Sequence, residues 1–147
     1  MKEQNMNKKL LHELNKESSI PYALSTVSAG FPSPADDYIE HNLSLTDLLI
    51  NNHLSTFLMK ASGDSMIDVG INHDDILVVD RSLEAKNRDI IIAILEGSLT
   101  VKRLLIKTDG SILLKSENPL HANIQMSEMA ELEVWGVVTS SIRQFIK

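Results

Sequence analysis

Ser65 is the serine whose surroundings could support nucleophilic chemistry. It lies in the run ASGDSM of residues 61–66, directly after a predicted strand and inside a glycine-containing turn. Such a turn can lift a hydroxyl clear of the backbone and direct neighbouring N–H groups at one point, as an oxyanion hole requires. The same residues also suit an ordinary polar surface loop, so this pattern alone leaves both interpretations open.

Lys102 is the candidate base for that serine. The run LTVKRLLI of residues 99–106 reads as a strand, which places Lys102 on one face and Arg103 on the other. If both faces are covered, one cation is partly buried, and burial lowers the pKa of a lysine because it disfavours the charged form. A base working near neutral pH needs a pKa roughly three units below ~10.4, on the order of 4 kcal/mol. An edge strand with both side chains reaching water is the alternative.

Other residues that could do chemistry have less support. The chain has no cysteine, so a thiolate nucleophile, a disulfide and a Cys-based zinc site are excluded. A Ser-His-Asp triad stays open because triads are assembled in space, but no histidine lies in an obvious orienting carboxylate motif. The acidic pairs lack EF-hand spacing, and we expect no metal and no cofactor. The histidines are His12, His41, His53, His73 and His121, and the acidic pairs are Asp36-Asp37, Asp64/Asp68 and Asp74-Asp75.

The elements that must position these residues are mainly strands. Apolar alternation predicts about six of them, with a hairpin turn near Glu96 and Gly97. One short helix is expected over residues 43–50, capped by Ser44 or Thr46. Residues 20–28 could form an extended strand, and the two prolines within residues 29–38 favour exposed, extended chain. The fold class predicted is therefore mainly β. The strand ranges are 56–61, 75–80, 89–97, 99–107, 111–116 and 133–146.

Length, hydropathy and charge narrow the class of protein further. The 147 residues suit one domain. The longest apolar run, Ile90 to Leu95, is far shorter than the roughly 20 residues of a membrane helix. With no apolar core for a signal peptide near the N-terminus, we expect a cytoplasmic protein with no membrane contact. Residues 30–147 hold ten basic and seventeen acidic residues, a net charge of −7, which argues against direct nucleic-acid binding and favours protein partners.

Four segments in order resemble the LexA/UmuD family of self-processing proteins. The run AGFPSPA of residues 29–35 resembles the cleavage region of UmuD-type proteins, and SGDSM of residues 62–66 resembles the nucleophile box. The run TVKRL of residues 100–104 resembles the strand of the general-base lysine, and WGVV of residues 135–138 resembles the C-terminal strand. Each motif alone is weak, but four in this order, with matching intervals over roughly residues 20–147, are specific. The one departure is Ala29, where the best-known UmuD has cysteine.

The resemblance implies a fold, two segments and a site. It implies a LexA/signal-peptidase-like β domain over residues 30–147 and a flexible N-terminal arm, residues 1–29, that self-cleavage removes. Ser65 is then the nucleophile and Lys102 the base. The backbone N–H groups of Asp64 and Ser65 form the oxyanion hole, and the bond cut is Ala29–Gly30.

The resemblance also implies partners. UmuD-like proteins are homodimers whose cleavage is stimulated in the SOS response by RecA filaments on single-stranded DNA. The shortened product joins a Y-family polymerase subunit to form the error-prone translesion DNA polymerase V. Because 29 residues precede Gly30, we expect a UmuD-like protein rather than a LexA-type repressor with a DNA-binding domain. The alternatives are the peptidase domain of such a repressor, a type I signal peptidase, which would need a membrane anchor, and a non-enzymatic β-rich interaction module.

Overall fold

The computed structural model describes residues 19–23, 26–32 and 40–146, and the chain divides into two compact units, Met1–Ile50 and Asn51–Lys147. Residues 1–18 and 24–25 of the expected arm and residues 33–38 of the expected extended segment lie outside the described residues. Among the described residues, no helix has the length and apolar character needed to cross a membrane.

The first unit contains a strand pair and a short helix. Strand β1 (Ser19–Ala23) pairs antiparallel with β2 (Glu40–Ser44), in a register that runs from Ser19 opposite Ser44 to Ala23 opposite Glu40. Helix α1 (Leu45–Leu49) follows directly. The Ser44 hydroxyl accepts a 3.4 Å hydrogen bond from the N–H of Asp47, so Ser44 is the N-cap and the predicted helix is confirmed. Strand β2 was not predicted, because its polar run carries no strand periodicity.

The second unit is a seven-stranded sheet in which every pairing is antiparallel, in the order β3-β4-β9-β5-β6-β7-β8. The mainly β prediction is confirmed; β8 and two short 3₁₀ helices are too short to show periodicity. The strands are β3 (Thr56–Lys60), β4 (Ile76–Asp80), β5 (Ile90–Leu95), β6 (Ser98–Ile106), β7 (Ile112–Lys115), β8 (Ile124–Met126) and β9 (Glu133–Ile142), and the 3₁₀ helices are Ile67–Val69 and Met129–Glu131.

The centre of this sheet is buried on both faces. Adjacent residues of β5, Ile91 and Ile92, belong to two different apolar clusters because successive side chains of a strand point to opposite faces. This explains why β5 is a continuous apolar run. The first cluster holds Ala61, Met66, Ile71, Leu77, Val79 and Ile92; the second holds Ile91, Ala93, Leu104, Ile112, Leu114 and Val137.

Two glycines show where the backbone geometry demands that residue. The hairpin between β5 and β6 turns through Glu96 and Gly97, both at positive φ (49° and 77°), as a two-residue hairpin turn requires. The predicted hairpin is thus confirmed. In β9, a Cβ added to Gly136 would lie 2.6 Å from Cγ1 of the buried Val79 on β4, so only glycine allows the two strands to approach so closely.

Candidate active site

The loop that carries Ser65 is held at its start by an extension of the β3–β4 pairing. The N–H of Ala61 donates to the carbonyl of Asp75 (2.8 Å), and the N–H of Asp74 donates back to the carbonyl of Ala61 (2.9 Å). Gly63 then adopts φ +88°, a left-handed conformation that favours glycine, and its N–H donates to Nδ1 of His73 (3.0 Å). The chain therefore enters the nucleophile loop along a defined path.

The loop is held on the far side of Ser65 as well. The N–H of Ile67 donates to the carbonyl of Asp64 (3.2 Å), which closes a tight turn around Ser65. Met66, only 1% exposed, inserts its side chain into the first apolar cluster. Because the next residue is anchored in the core, the Ser65 side chain sits at the apex of a constrained turn, as the sequence predicted.

Lys102 meets Ser65 from the middle of β6. It lies opposite Ile91 of β5, and the residue is 8% exposed. Its Nζ donates to Oγ of Ser65 at 3.3 Å. Among the described residues, Lys102 is the hydrogen-bond partner of the Ser65 hydroxyl, and the nearby His73 and His121 contact other groups instead. The structure thus brings together the two residues that the sequence predicted as nucleophile and base.

The surroundings of Lys102 make its charged form less favourable than it is in water. Burial lowers the pKa of the Lys102 amine because it removes water from the charged form. The neighbouring Arg103 points to the other face and pairs with Glu117 (Nε to Oε1, 2.5 Å), which Lys115 also contacts at 3.4 Å. Within the part of the chain that the structure describes, no carboxylate pairs with Lys102 and stabilises its positive charge. A neutral amine at 3.3 Å from a hydroxyl can accept its proton.

A second loop, residues 116–123, contacts the residue before the nucleophile. Nδ2 of Asn118 donates to the carbonyl oxygen of Asp64 (3.0 Å), and Nε2 of His121 lies 2.6 Å from Oδ1 of Asp64. Neither contact was predicted from the sequence, because this loop follows Ser65 by some fifty residues and has no periodic pattern. The pairing of a polar loop residue with Asp64 is visible only in three dimensions.

The predicted cleavage site lies in the other compact unit. Ala29 and Gly30 are exposed, within the described residues 26–32. The N–H of Gly30 donates to the Ser28 hydroxyl at 3.3 Å, and that hydroxyl donates in turn to the carbonyl of Phe31. The bond is therefore in a locally bent, solvent-accessible stretch of chain. No cluster of three or more potential metal ligands occurs within residues 19–23, 26–32 and 40–146.

Comparison with known proteins gives the family. Residues 21–139 match the family described as Peptidase S24-like. The chain is 38% identical over 125 residues to Protein MucA of Salmonella typhimurium, covering 84% of each chain. It is 38% identical over 128 residues to Protein SamA of Salmonella typhimurium (strain LT2), covering 87% of this chain and 88% of SamA.

A third relative is a repressor. The chain is 38% identical over 121 residues to LexA repressor 1 of Xanthomonas campestris pv. campestris, covering 82% of this chain and 59% of the repressor. The resemblance inferred from the four motifs is thereby confirmed, in a chain whose mainly β fold agrees with it. The chain belongs to the S24-like peptidases, the self-cleaving serine peptidases of the LexA/UmuD kind.

Proposed function

We propose that Ser65 and Lys102 form a catalytic dyad that cuts the Ala29–Gly30 bond of this protein. The observation that carries the proposal is the 3.3 Å contact between a turn-borne hydroxyl and the amine of a buried lysine. Membership of a peptidase family supports the same chemistry. A non-enzymatic interaction module would have no need to bury a lysine against a serine, because burying an unpaired cation is unfavourable.

The reaction follows from the properties of the two groups. Neutral Lys102 accepts the proton of Ser65 as Oγ attacks the carbonyl carbon of Ala29. The protonated amine then donates to the nitrogen of Gly30, and the C–N bond breaks to leave Ala29 as an ester on Ser65. Water, activated by the lysine, hydrolyses this ester and regenerates the hydroxyl. Substrate and nucleophile belong to the same chain or dimer, so proximity supplies much of the acceleration.

The oxyanion formed in this reaction would be stabilised by backbone N–H groups of Asp64 and Ser65. Two observations support this. Neither N–H donates to an acceptor among the residues that the structure describes. The turn is also held on both sides, so these donors need little reorganisation when charge develops on the carbonyl oxygen.

We place the reaction in the SOS response, as for UmuD-type proteins. In this scheme RecA filaments on single-stranded DNA stimulate cleavage in a cytoplasmic homodimer. The product, residues 30–147, then joins a Y-family subunit to form the error-prone DNA polymerase V. The similarity to MucA and SamA over most of both chains supports a UmuD-like assignment. The net charge of −7 over residues 30–147, ten basic against seventeen acidic side chains, fits protein partners better than DNA.

A second candidate is the peptidase domain of a LexA-type repressor, which the 38% identity to LexA repressor 1 favours. Both candidates share the cleavage chemistry and differ in the partner of the product. Binding of purified residues 30–147 product to a Y-family polymerase subunit supports the first candidate. Binding of the intact protein to a DNA operator, lost upon cleavage, supports the second.

The test of the dyad is self-cleavage of the purified full chain at alkaline pH, followed by mass spectrometry. The expected product begins at Gly30. Ser65→Ala and Lys102→Ala should each leave the chain intact. The matched controls are Ser98→Ala, at the exposed start of β6, and Lys60→Ala, on an exposed part of β3; both should be cleaved at the wild-type rate.

Two results would contradict the proposal. If the wild-type protein stays intact, with and without RecA filaments, its assignment as an active peptidase is wrong. If cleavage persists in both Ser65→Ala and Lys102→Ala, the assignment of these two residues as the dyad is wrong, and other residues carry out the reaction.

A further inference from the structure

We propose that Asn118 is a positioning residue for self-cleavage, because its side chain fixes the plane of the peptide that joins Asp64 to Ser65. A fixed peptide plane holds the N–H of Ser65 in one direction, in which it can bind the oxygen of the carbonyl under attack. The inference rests on the proposed function, since it concerns the same nucleophile, and it adds a residue to which neither the motifs nor the family comparison assigned a role.

The geometry of the peptide carries the inference. A peptide group is planar and trans, so its carbonyl oxygen and its N–H point in opposite directions. The carbonyl oxygen of Asp64 accepts two hydrogen bonds, from Nδ2 of Asn118 (3.0 Å) and from the N–H of Ile67 (3.2 Å). These two donors fix the direction of the oxygen, and with it the opposite direction of the Ser65 N–H. No acceptor among the described residues takes that N–H, so it is free to bind an oxyanion.

Asn118 is itself held in one orientation. The residue is 7% exposed, and its Oδ1 accepts a 3.0 Å hydrogen bond from the N–H of Leu120. Its backbone carbonyl accepts from the N–H of His121 at 3.0 Å. Because the oxygen end of the amide is engaged by Leu120, the nitrogen end is the one that faces the carbonyl of Asp64. Turning the amide over would break both bonds, because it would place two oxygens against each other at Asp64 and two N–H donors against each other at Leu120.

Two other contacts of this loop show that Asn118, and not the loop as a whole, holds the peptide between residues 64 and 65. The His121 ring contacts the Asp64 carboxylate at the surface, where the two side chains are 42% and 57% exposed, and does not touch the peptide. Asn123 belongs to the same loop, and its Oδ1 accepts from the N–H of Ser116 at 3.0 Å without reaching residues 64–65. Asn123→Ala therefore removes an asparagine side-chain hydrogen bond within the same loop and leaves the peptide in place.

The experiment measures the first-order rate constant of self-cleavage of the full chain from about pH 6 to about pH 11, across the range in which a lysine base titrates. In Asn118→Ala, the alkaline plateau should fall by roughly 10- to 100-fold, less than the 10²–10³-fold that loss of a whole oxyanion donor costs. The midpoint of the pH profile should stay at its wild-type value, because Lys102 is untouched. Asn123→Ala should cleave within about twofold of wild type, as a residue outside the reacting centre.

A second variant keeps the test decisive if Asn118→Ala does not fold. Asn118→Asp preserves the size of the side chain and the acceptor for Leu120, but turns an oxygen toward the carbonyl of Asp64. Its plateau should fall at least as far, in a chain whose circular dichroism matches wild type. The midpoint is compared only in Asn118→Ala, because the new carboxylate of Asn118→Asp itself favours the protonated form of Lys102.

The outcomes distinguish this inference from the proposed function. If wild type yields no fragment beginning at Gly30, the proposed function fails and this inference with it. If wild type is cleaved and the Asn118 variants are cleaved as fast as Asn123→Ala, only the positioning role is overturned. A loss of rate in Asn118→Ala that is accompanied by a higher midpoint also overturns it, because that result assigns Asn118 to the shielding of Lys102 from water.

Discussion

Nζ of Lys102 lies 3.3 Å from Oγ of Ser65, although 37 residues separate them in the chain. The contact joins the middle of a central strand to the apex of a loop that follows an edge strand. Burial of Lys102 within the sheet lowers the pKa of its amine, and the absence of a paired carboxylate among the described residues leaves that effect uncompensated. The relationship between the two residues therefore has consequences for both rate and stability.

Self-cleavage should accelerate as the pH rises. The reactive form of Lys102 is the free amine, and its pKa is lowered by burial, so the rate should reach half its maximum below the ordinary lysine value of about 10.4. The measurement is the rate constant of Gly30 fragment formation as a function of pH. Lys102→Arg, which stays protonated throughout, should be inactive at every pH. A rate that is flat or falls with pH would contradict a lysine base.

Lys102 should reduce the stability of the fold. Because its pKa is lower in the folded chain than in the unfolded chain, protonation favours unfolding: the loss is complete below the folded pKa and disappears as the pH rises toward the unfolded value. Lys102→Met, of similar length and apolar, should raise the Tm at neutral pH, by about 2–4 °C for each kcal/mol gained in a chain of this size.

The control for this prediction is Lys60→Met on β3, where the lysine is exposed and the substitution should leave the Tm nearly unchanged. Repeating the measurement near pH 10 should shrink the gain of Lys102→Met. An unchanged or lower Tm for Lys102→Met at neutral pH would mean that the buried amine is already well solvated.

The ion pair between Asp75 and Arg143 should stabilise the fold where the start of β4 meets the end of β9. Asp75 is 2% exposed and accepts from Nε of Arg143 (3.0 Å); hydrogen bonds from Arg143 are the main cause that lowers the pKa of Asp75 from 3.8 to about 2. Arg143→Ala leaves a buried carboxylate unpaired, and the free energy of unfolding should fall by about 2 kcal/mol or more. Chemical denaturation at neutral pH measures this loss.

The same pair predicts a pH dependence. A depressed carboxyl pKa gives stability that is complete above the unfolded value and is lost as the pH falls from about 4 toward 2. Asp75→Asn should therefore flatten the stability profile in this range. Asp68→Asn is the control, because Asp68 is exposed and its carboxylate has no partner among the described residues. Equal acid sensitivity of Asp75→Asn and wild type would show that other carboxyl groups dominate.

Gly136 should tolerate no side chain. A Cβ at this position would meet Cγ1 of Val79 at 2.6 Å, and Val79 is fully buried, so Gly136→Ala should destabilise the fold by about 1–3 kcal/mol through overpacking. The test is a double-mutant cycle in chemical denaturation with Val79→Ala, which removes the clashing methyl groups. The double variant should lose less stability than the sum of the two single variants. Additive losses would mean that the strands separate instead of clashing.

The sequence alone predicted most of the second unit because its signals are local. Alternation in β6 and the apolar run of β5 identify strands, and Glu96 with Gly97 identifies their hairpin. Strands β2 and β8 escaped prediction because a polar strand or one of three residues has no usable period. The contacts of Asn118 and His121 with Asp64 escaped as well, because a long-range contact between two loops has no counterpart in periodicity.

For the site, the order of the motifs was enough to select Ser65 and Lys102. The resemblance of these motifs to a known family implied that the serine is the nucleophile and the lysine the base. Alternation along β6 could show only that Lys102 and Arg103 occupy opposite faces; it could not say which of the two is buried. That was decided by the tertiary structure, in which Glu117 pairs with Arg103 and Lys102 is buried. Burial and electrostatic pairing depend on residues far apart in the chain, so the chemistry of the lysine is determined only when the sheet is assembled.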